Sequence, residues 1–132
     1  MSQRDKLTPV EWEIMEAIWT LEGTPTVRDV LDHAFPNGEK AYTTVQTVMN
    51  TLQKKGLLDR RKIGLVNFYR PVRSREQMIK AEMSNLLARI FDGSVPALAN
   101  SLLALDDIKL AEIHKIKKLL EEKERELRGE KE

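Results

Sequence analysis

Residues 42–58 run Tyr42-Thr43-Thr44-Val45-Gln46-Thr47-Val48-Met49-Asn50-Thr51-Leu52-Gln53-Lys54-Lys55-Gly56-Leu57-Leu58. Val45, Val48, Met49 and Leu52 recur at i, i+3, i+4 and i+7, the stripe of a helix that buries one face. Thr43 with Gln46 three residues on predicts a capping box that opens the helix, and Gly56 predicts its end just past Lys55. At about 100° per residue, with the apolar stripe inward, the outward face is Thr43, Thr47, Asn50 and Lys54, flanked by Thr44, Gln46 and Thr51. No Asp or Glu lies between Lys40 and Lys55. An ordinary solvated face mixes signs. A helix set against phosphates and base edges instead offers hydroxyl, amide and ammonium groups and avoids carboxylates.

The flanks give this helix a setting. Upstream, Thr8-Pro9-Val10-Glu11 is a capping box with proline at the first helical position, opening a helix that carries Trp12, Met15, Ile18 and Trp19 towards core and stops at Gly23. Thr26-Val27-Arg28-Asp29 starts a short second helix, ended by Pro36-Asn37-Gly38. Downstream, residues 57–71 are rich in β-formers around Gly64 and predict a two-stranded hairpin ending at Pro71. Three helices and a hairpin make a winged helix-turn-helix over residues 1–73. The second and third helices form the helix-turn-helix, and Arg60-Arg61-Lys62 lies just before the tip of the wing.

Charge supports this arrangement once it is summed by segment. The 132 residues carry 22 basic and 21 acidic side chains, a net +1 that by itself argues against a polyanionic partner. Residues 1–39 hold 3 basic and 8 acidic groups, residues 40–80 hold 10 and 2, and residues 81–132 hold 9 and 11. The basic block coincides with the third helix and the wing, as phosphate binding requires. Alternation along the strand divides Arg70, Arg73 and Arg75 between DNA-facing and ion-paired roles.

Residues 74–132 predict a three-helix dimerisation region in a mainly α chain. Ser74-Arg75-Glu76-Gln77 opens one helix, Ser94-Val95-Pro96 a second, and a third begins near Asp106, with Asp106 or Asp107 expected to cap it. Met83, Leu86, Leu87, Ile90, Leu98, Leu102, Ile113, Ile116 and Leu120 are more apolar surface than three short helices can cover among themselves. A homodimer buries that surface against its copy.

Other chemistries lack residues. With no cysteine there is no disulfide, thiolate metal site or catalytic thiol, and a reducing, cytoplasmic location fits. His33 and His114 stand on separate helices, so no metal site is expected. There is no Ser-His-Asp set, carboxylate pair or glycine-rich phosphate loop, so neither enzymatic activity nor a cofactor is predicted. No apolar run is long enough for membrane insertion.

Several collinear motifs carry a family likeness: Leu7-Thr8-Pro9-Val10-Glu11-Trp12-Glu13-Ile14-Met15, Tyr42-Thr43-Thr44-Val45-Gln46-Thr47, Leu52-Gln53-Lys54-Lys55-Gly56-Leu57-Leu58, Tyr69-Arg70-Pro71 and Phe91-Asp92-Gly93-Ser94. In these the chain resembles the penicillinase-repressor (BlaI/MecI/CopY) family of winged-helix transcriptional regulators. The resemblance implies a homodimeric repressor that binds inverted-repeat operators with half-sites near TACA/TGTA. Copper-responsive members carry a C-terminal cysteine cluster, which this chain lacks. In β-lactam-responsive members a membrane sensor metalloprotease triggers cleavage at an Asn-Phe bond after the Phe-Asp-Gly motif. The matching position is Asn100-Ser101, with serine in place of the aromatic. Lys109 stands where the family usually has a serine that caps the last helix.

The expected function is that of a cytoplasmic, dimeric, sequence-specific repressor of a palindromic double-stranded DNA operator. Thr43, Gln46, Thr47, Asn50 and Thr51 would face bases, and Thr44, Lys54, Arg60, Arg61 and Lys62 would face phosphates. The other reading is a winged-helix module whose basic face meets an acidic protein partner.

Overall fold

In a computed structural model, which describes residues 6–129, six helices and one hairpin follow the predicted order. Helix α1 (Pro9–Leu21) starts as its sequence dictates: Thr8 Oγ1 accepts from the Glu11 amide at 3.2 Å, and Glu11 Oε1 accepts from the Thr8 amide at 2.9 Å. Helix α2 (Val27–Ala34) repeats the device with Thr26 and Asp29. Helix α3 (Tyr42–Lys54) ends at the C-cap Lys55, followed by Gly56 at φ +81°, the left-handed position that glycine adopts without a Cβ clash.

The wing is β1 (Leu58–Ile63) paired antiparallel with β2 (Val66–Pro71) in the register Leu58↔Pro71 to Ile63↔Val66. Only Gly64 and Leu65 connect them, with Gly64 at φ +64°. A two-residue turn of this kind matches the twist of the strands, and glycine at its first position supplies the positive φ. Two further bonds tie the hairpin in: the Tyr69 amide donates to the Pro25 carbonyl at 2.9 Å, and the Val72 amide to the Leu57 carbonyl at 3.0 Å.

The core lies where α1, α2, α3 and the base of the hairpin meet. Ile14, Met15 and Ile18 of α1, Val30 of α2, Val45, Met49 and Leu52 of α3, Leu58 and Tyr69 of the wing, and Met78 are fully buried together. Three of the four residues predicted to face inward from α3 are therefore core, and Val48 packs partly buried at its edge. Trp12 and Trp19 meet edge to face, ring centroids 5.6 Å apart, partly buried against the core. The Trp19 indole N–H donates to the Arg73 carbonyl at 3.0 Å.

The chain divides into two compact units, Met1–Leu86 and Leu87–Glu132, with the division inside α4 (Arg75–Phe91) rather than at its start. Ser74 caps α4 with Gln77 as reciprocal partner, as predicted. The first turns of α4 belong to the N-terminal unit because Met78 reaches its core.

In the second unit, α5 (Val95–Leu103) is capped by Ser94. Helix α6 (Leu110–Leu127) begins later than its charge pattern suggests: Lys109 is the N-cap, and the Glu112 carboxylate accepts from the Lys109 amide at 2.9 Å. Asp106 and Asp107 therefore do not cap it. The acidic group that matters lies inside the first turn, where it meets both an amide and the positive end of the helix dipole.

Candidate nucleic-acid interface

The residues predicted to meet DNA lie on α3 and β1 of the first unit. On α3, Thr43, Thr44, Thr47, Thr51 and Lys54 are exposed, and Gln46 and Asn50 are half-buried. The helix starts differently from the expectation that Thr43 would cap it. Ala41 is the N-cap, with extended backbone and no side-chain cap bond, and Thr43 and Thr44 already lie in the first turn. An N-cap residue must be extended for its oxygen to reach the amides ahead, so a helical Thr43 cannot serve. The first-turn amides of α3 are left for water or an anion, and both threonine hydroxyls stay on the surface. Thr51 is turned inward on its own helix, its hydroxyl donating to the Thr47 carbonyl at 3.0 Å.

Alternation along β1 separates the basic run. Leu58, Arg60 and Lys62 share one face of the hairpin and Arg61 the other, and all three basic side chains are exposed. Arg60 lies opposite Tyr69 and donates from Nη1 to Asn50 Oδ1 at 3.1 Å, linking wing to α3. The Tyr69 hydroxyl, on a fully buried ring, donates to the same oxygen at 2.9 Å. Burial pushes the Tyr69 phenol up from its ordinary value, with the nearby Arg60 guanidinium opposing.

Part of the basic block is spent internally. Lys55 is held at 2.8 Å by Glu11, Arg70 at 3.0 Å by Asp59 across the hairpin, and Arg75 at 2.7 Å by Glu16 of α1. The Arg75 bond draws the Glu16 carboxyl below its ordinary range. Lys54, Arg61 and Lys62 are exposed and have no carboxylate partner among the described residues.

Sequence reasoning missed Arg28. It lies in the first turn of α2, its guanidinium carbon 5.0 Å from the centroid of the Tyr42 ring at the start of α3 and its Nη1 3.9 Å from Asp32. A signal was present: Arg28 is the one basic residue between Lys6 and Lys40, at the entry to the helix that precedes α3. Summed into an acidic segment, it disappeared.

The remaining site residues fall elsewhere. Met83, Ile90, Leu102 and Leu120 are exposed, and Leu86, Leu87, Leu98, Ile113 and Ile116 half-buried; none is buried within the single chain. Asn100 and Ser101 are exposed in the second half of α5. Among the described residues no cluster of His, Cys, Asp or Glu could hold a metal ion, and no helix is long and apolar enough to cross a membrane.

Comparison with known proteins gives this geometry a lineage. The family model described as penicillinase repressor matches residues 7–122. The penicillinase repressor of Bacillus licheniformis is 26% identical, the match covering 92% of this chain and 94% of that protein. The transcriptional regulator BlaI of Mycobacterium tuberculosis is 30% identical over 70% of this chain and 67% of its own. The methicillin resistance regulatory protein MecI of Staphylococcus aureus is 20% identical over 89% and 95%. With a family match spanning the winged helix, α4, α5 and most of α6, the chain belongs to the penicillinase repressor family.

Proposed function

We propose that the chain is a cytoplasmic, non-enzymatic, homodimeric repressor that reads an inverted-repeat operator with α3. The observation that carries this reading is the exposed stripe of α3. It offers hydroxyls and amides, holds no carboxylate, begins with unclaimed first-turn amides and carries Lys54 in its last turn. Thr43, Gln46, Thr47, Asn50 and Thr51 are assigned to base edges, and Thr44, Lys54, Arg60, Arg61 and Lys62 to phosphates. Arg28 joins the phosphate set, on the helix that crosses the backbone in helix-turn-helix proteins.

The second unit supplies the reason for a dimer. No described residue from Leu87 onward is fully buried, while Leu102, Leu103, Leu105, Leu110, Leu119 and Leu120 are roughly half to three-quarters exposed. A segment with that surface and no interior is not stable alone. Pairing with its copy covers it and sets two α3 helices about 34 Å apart, one turn of DNA.

For release, the family resemblance suggests cleavage of Asn100–Ser101 after a membrane sensor metalloprotease responds. That bond is helical, its carbonyls accepting from the Ala104 amide, so a protease acts on it only after the end of α5 unwinds.

One observation favours the protein-binding reading. The wing tip carries Leu65, 94% exposed, beside exposed Ile63 and Val66. Selection of bound duplexes from a random library decides between the two. An enriched inverted repeat supports the repressor, and retention of DNA without any enriched sequence supports the protein-binding module.

A further inference from the structure

Asn50 belongs to the outward stripe of α3, yet its side-chain oxygen is engaged twice from within the fold. Tyr69 Oη donates to Asn50 Oδ1 at 2.9 Å and Arg60 Nη1 at 3.1 Å. A guanidinium can only donate, so the amide atom facing it is the oxygen, and the orientation of the group follows from its partners. A carbonyl oxygen has two lone pairs, and both are used. Nδ2 makes no hydrogen bond to any described residue.

The donors are well anchored. The Tyr69 ring is fully buried, its amide is bound to the Pro25 carbonyl ahead of α2, and Arg60 is its cross-strand neighbour. One asparagine oxygen thus joins α3 to both strands of the wing.

We propose that Asn50 is a specificity-determining residue that offers DNA hydrogen-bond donors only, with Tyr69 and Arg60 acting as positioning residues that occupy its acceptor. The inference rests on α3 being the base-reading helix. A free asparagine reads adenine with both ends of its amide, accepting from N6 and donating to N7. With Oδ1 committed, Asn50 cannot accept from the amino groups of adenine or cytosine. It can donate to both O6 and N7 of guanine, or singly to adenine N7 or thymine O4. Only guanine sets two acceptors side by side, so each half-site carries a G·C pair rather than an A·T pair at the position Asn50 meets. Arg60 is drawn towards Asn50, which makes Arg61, Lys62 and Lys54 the principal phosphate contacts of this edge.

The test is parallel selection from one random duplex library with the full wild-type chain, Asn50→Ala, Asn50→Asp and Tyr69→Phe. Asn50→Asp keeps an acceptor for Tyr69 and Arg60 and removes the donors, so it separates the base contact from the support of the fold. Wild type is expected to enrich a G·C over an A·T pair roughly tenfold at one position per half-site, and both Asn50 variants to lose that preference. Tyr69→Phe, which releases a lone pair, is expected to raise A·T pairs there; should it fail to fold, Asn50→Asp decides. A wild-type preference for an A·T pair at the Asn50-dependent position overturns the proposal. So does an enriched repeat in which every position is indifferent to Asn50, which leaves α3 as reader intact. No enriched repeat for wild type removes the reading of α3, and the proposal with it.

Discussion

Lys55 Nζ lies 2.8 Å from Glu11 Oε2 and 2.9 Å from Oε1, joining the C-cap of α3 to the first turn of α1. Glu11, 4% exposed, also accepts the Thr8 amide, so one carboxylate caps α1 and anchors the end of α3. Removing the ammonium strands a buried charge. Lys55→Ala is expected to destabilise the fold by roughly 3 kcal/mol in urea denaturation, and an unchanged midpoint contradicts that role for the pair.

The same carboxylate sets an acid limit. Burial raises the Glu11 carboxyl, but the bonds from Lys55 and Thr8 outweigh it and hold the group below its ordinary 4.5. A depressed folded value means that its stabilisation is complete above about 4.5 and is lost as pH falls through the folded value. Urea midpoints measured from pH 7 to pH 3 should therefore fall less steeply for Glu11→Gln than for wild type. Parallel profiles would count against the linkage.

At the wing tip, Gly64 sits at φ +64° with no atom within 4 Å of where a Cβ would stand. Backbone strain alone opposes substitution, so Gly64→Ala should cost about 1 kcal/mol. Thermal unfolding should register this as a drop of a few degrees, with DNA affinity weakened on all sequences alike. A substitution without effect on melting would mean that the turn relaxes.

Within the proposed interface, reading and gripping residues should separate by measurement. Gln46→Ala should lower preference for the operator over random DNA by about 1–3 kcal/mol. Arg61→Ala should weaken both equally and flatten the salt dependence by about one unit. Equal losses on both DNAs for Gln46→Ala would remove it from the base-reading set.

In the second unit, Ile113, Ile116 and Leu120 follow the i, i+3, i+7 spacing on α6. Ile116→Asp places a carboxylate in the proposed dimer seam and is expected to shift sedimentation at micromolar concentration from dimer to monomer. A dimeric variant would put the seam elsewhere.

Much of this molecule was legible in short-range pattern. The caps at Thr8, Thr26, Ser74 and Ser94 form as read, because a cap is a bond between residues three apart. The inward stripe of α3 is core for the same local reason. Thr43 and Asp106 misled because several residues near each helix start could cap it, and backbone geometry chose Ala41 and Lys109. Charge counting overstated the basic edge, since pairing of Lys55 with Glu11 or Arg75 with Glu16 joins residues 44 and 59 apart. The bond between Asn50 and Tyr69, nineteen residues apart, is of the same kind. No periodicity encodes it, and it alters what a face-pointing asparagine can read.

In the proposed complex, two copies of α3 enter successive major grooves of one operator. Hydroxyl-radical footprinting and guanine-methylation interference on the selected duplex test it most directly. Two protected patches related by two-fold symmetry are expected, with interfering guanines centred about 10 base pairs apart. A single patch, or protection confined to the minor groove, would contradict it.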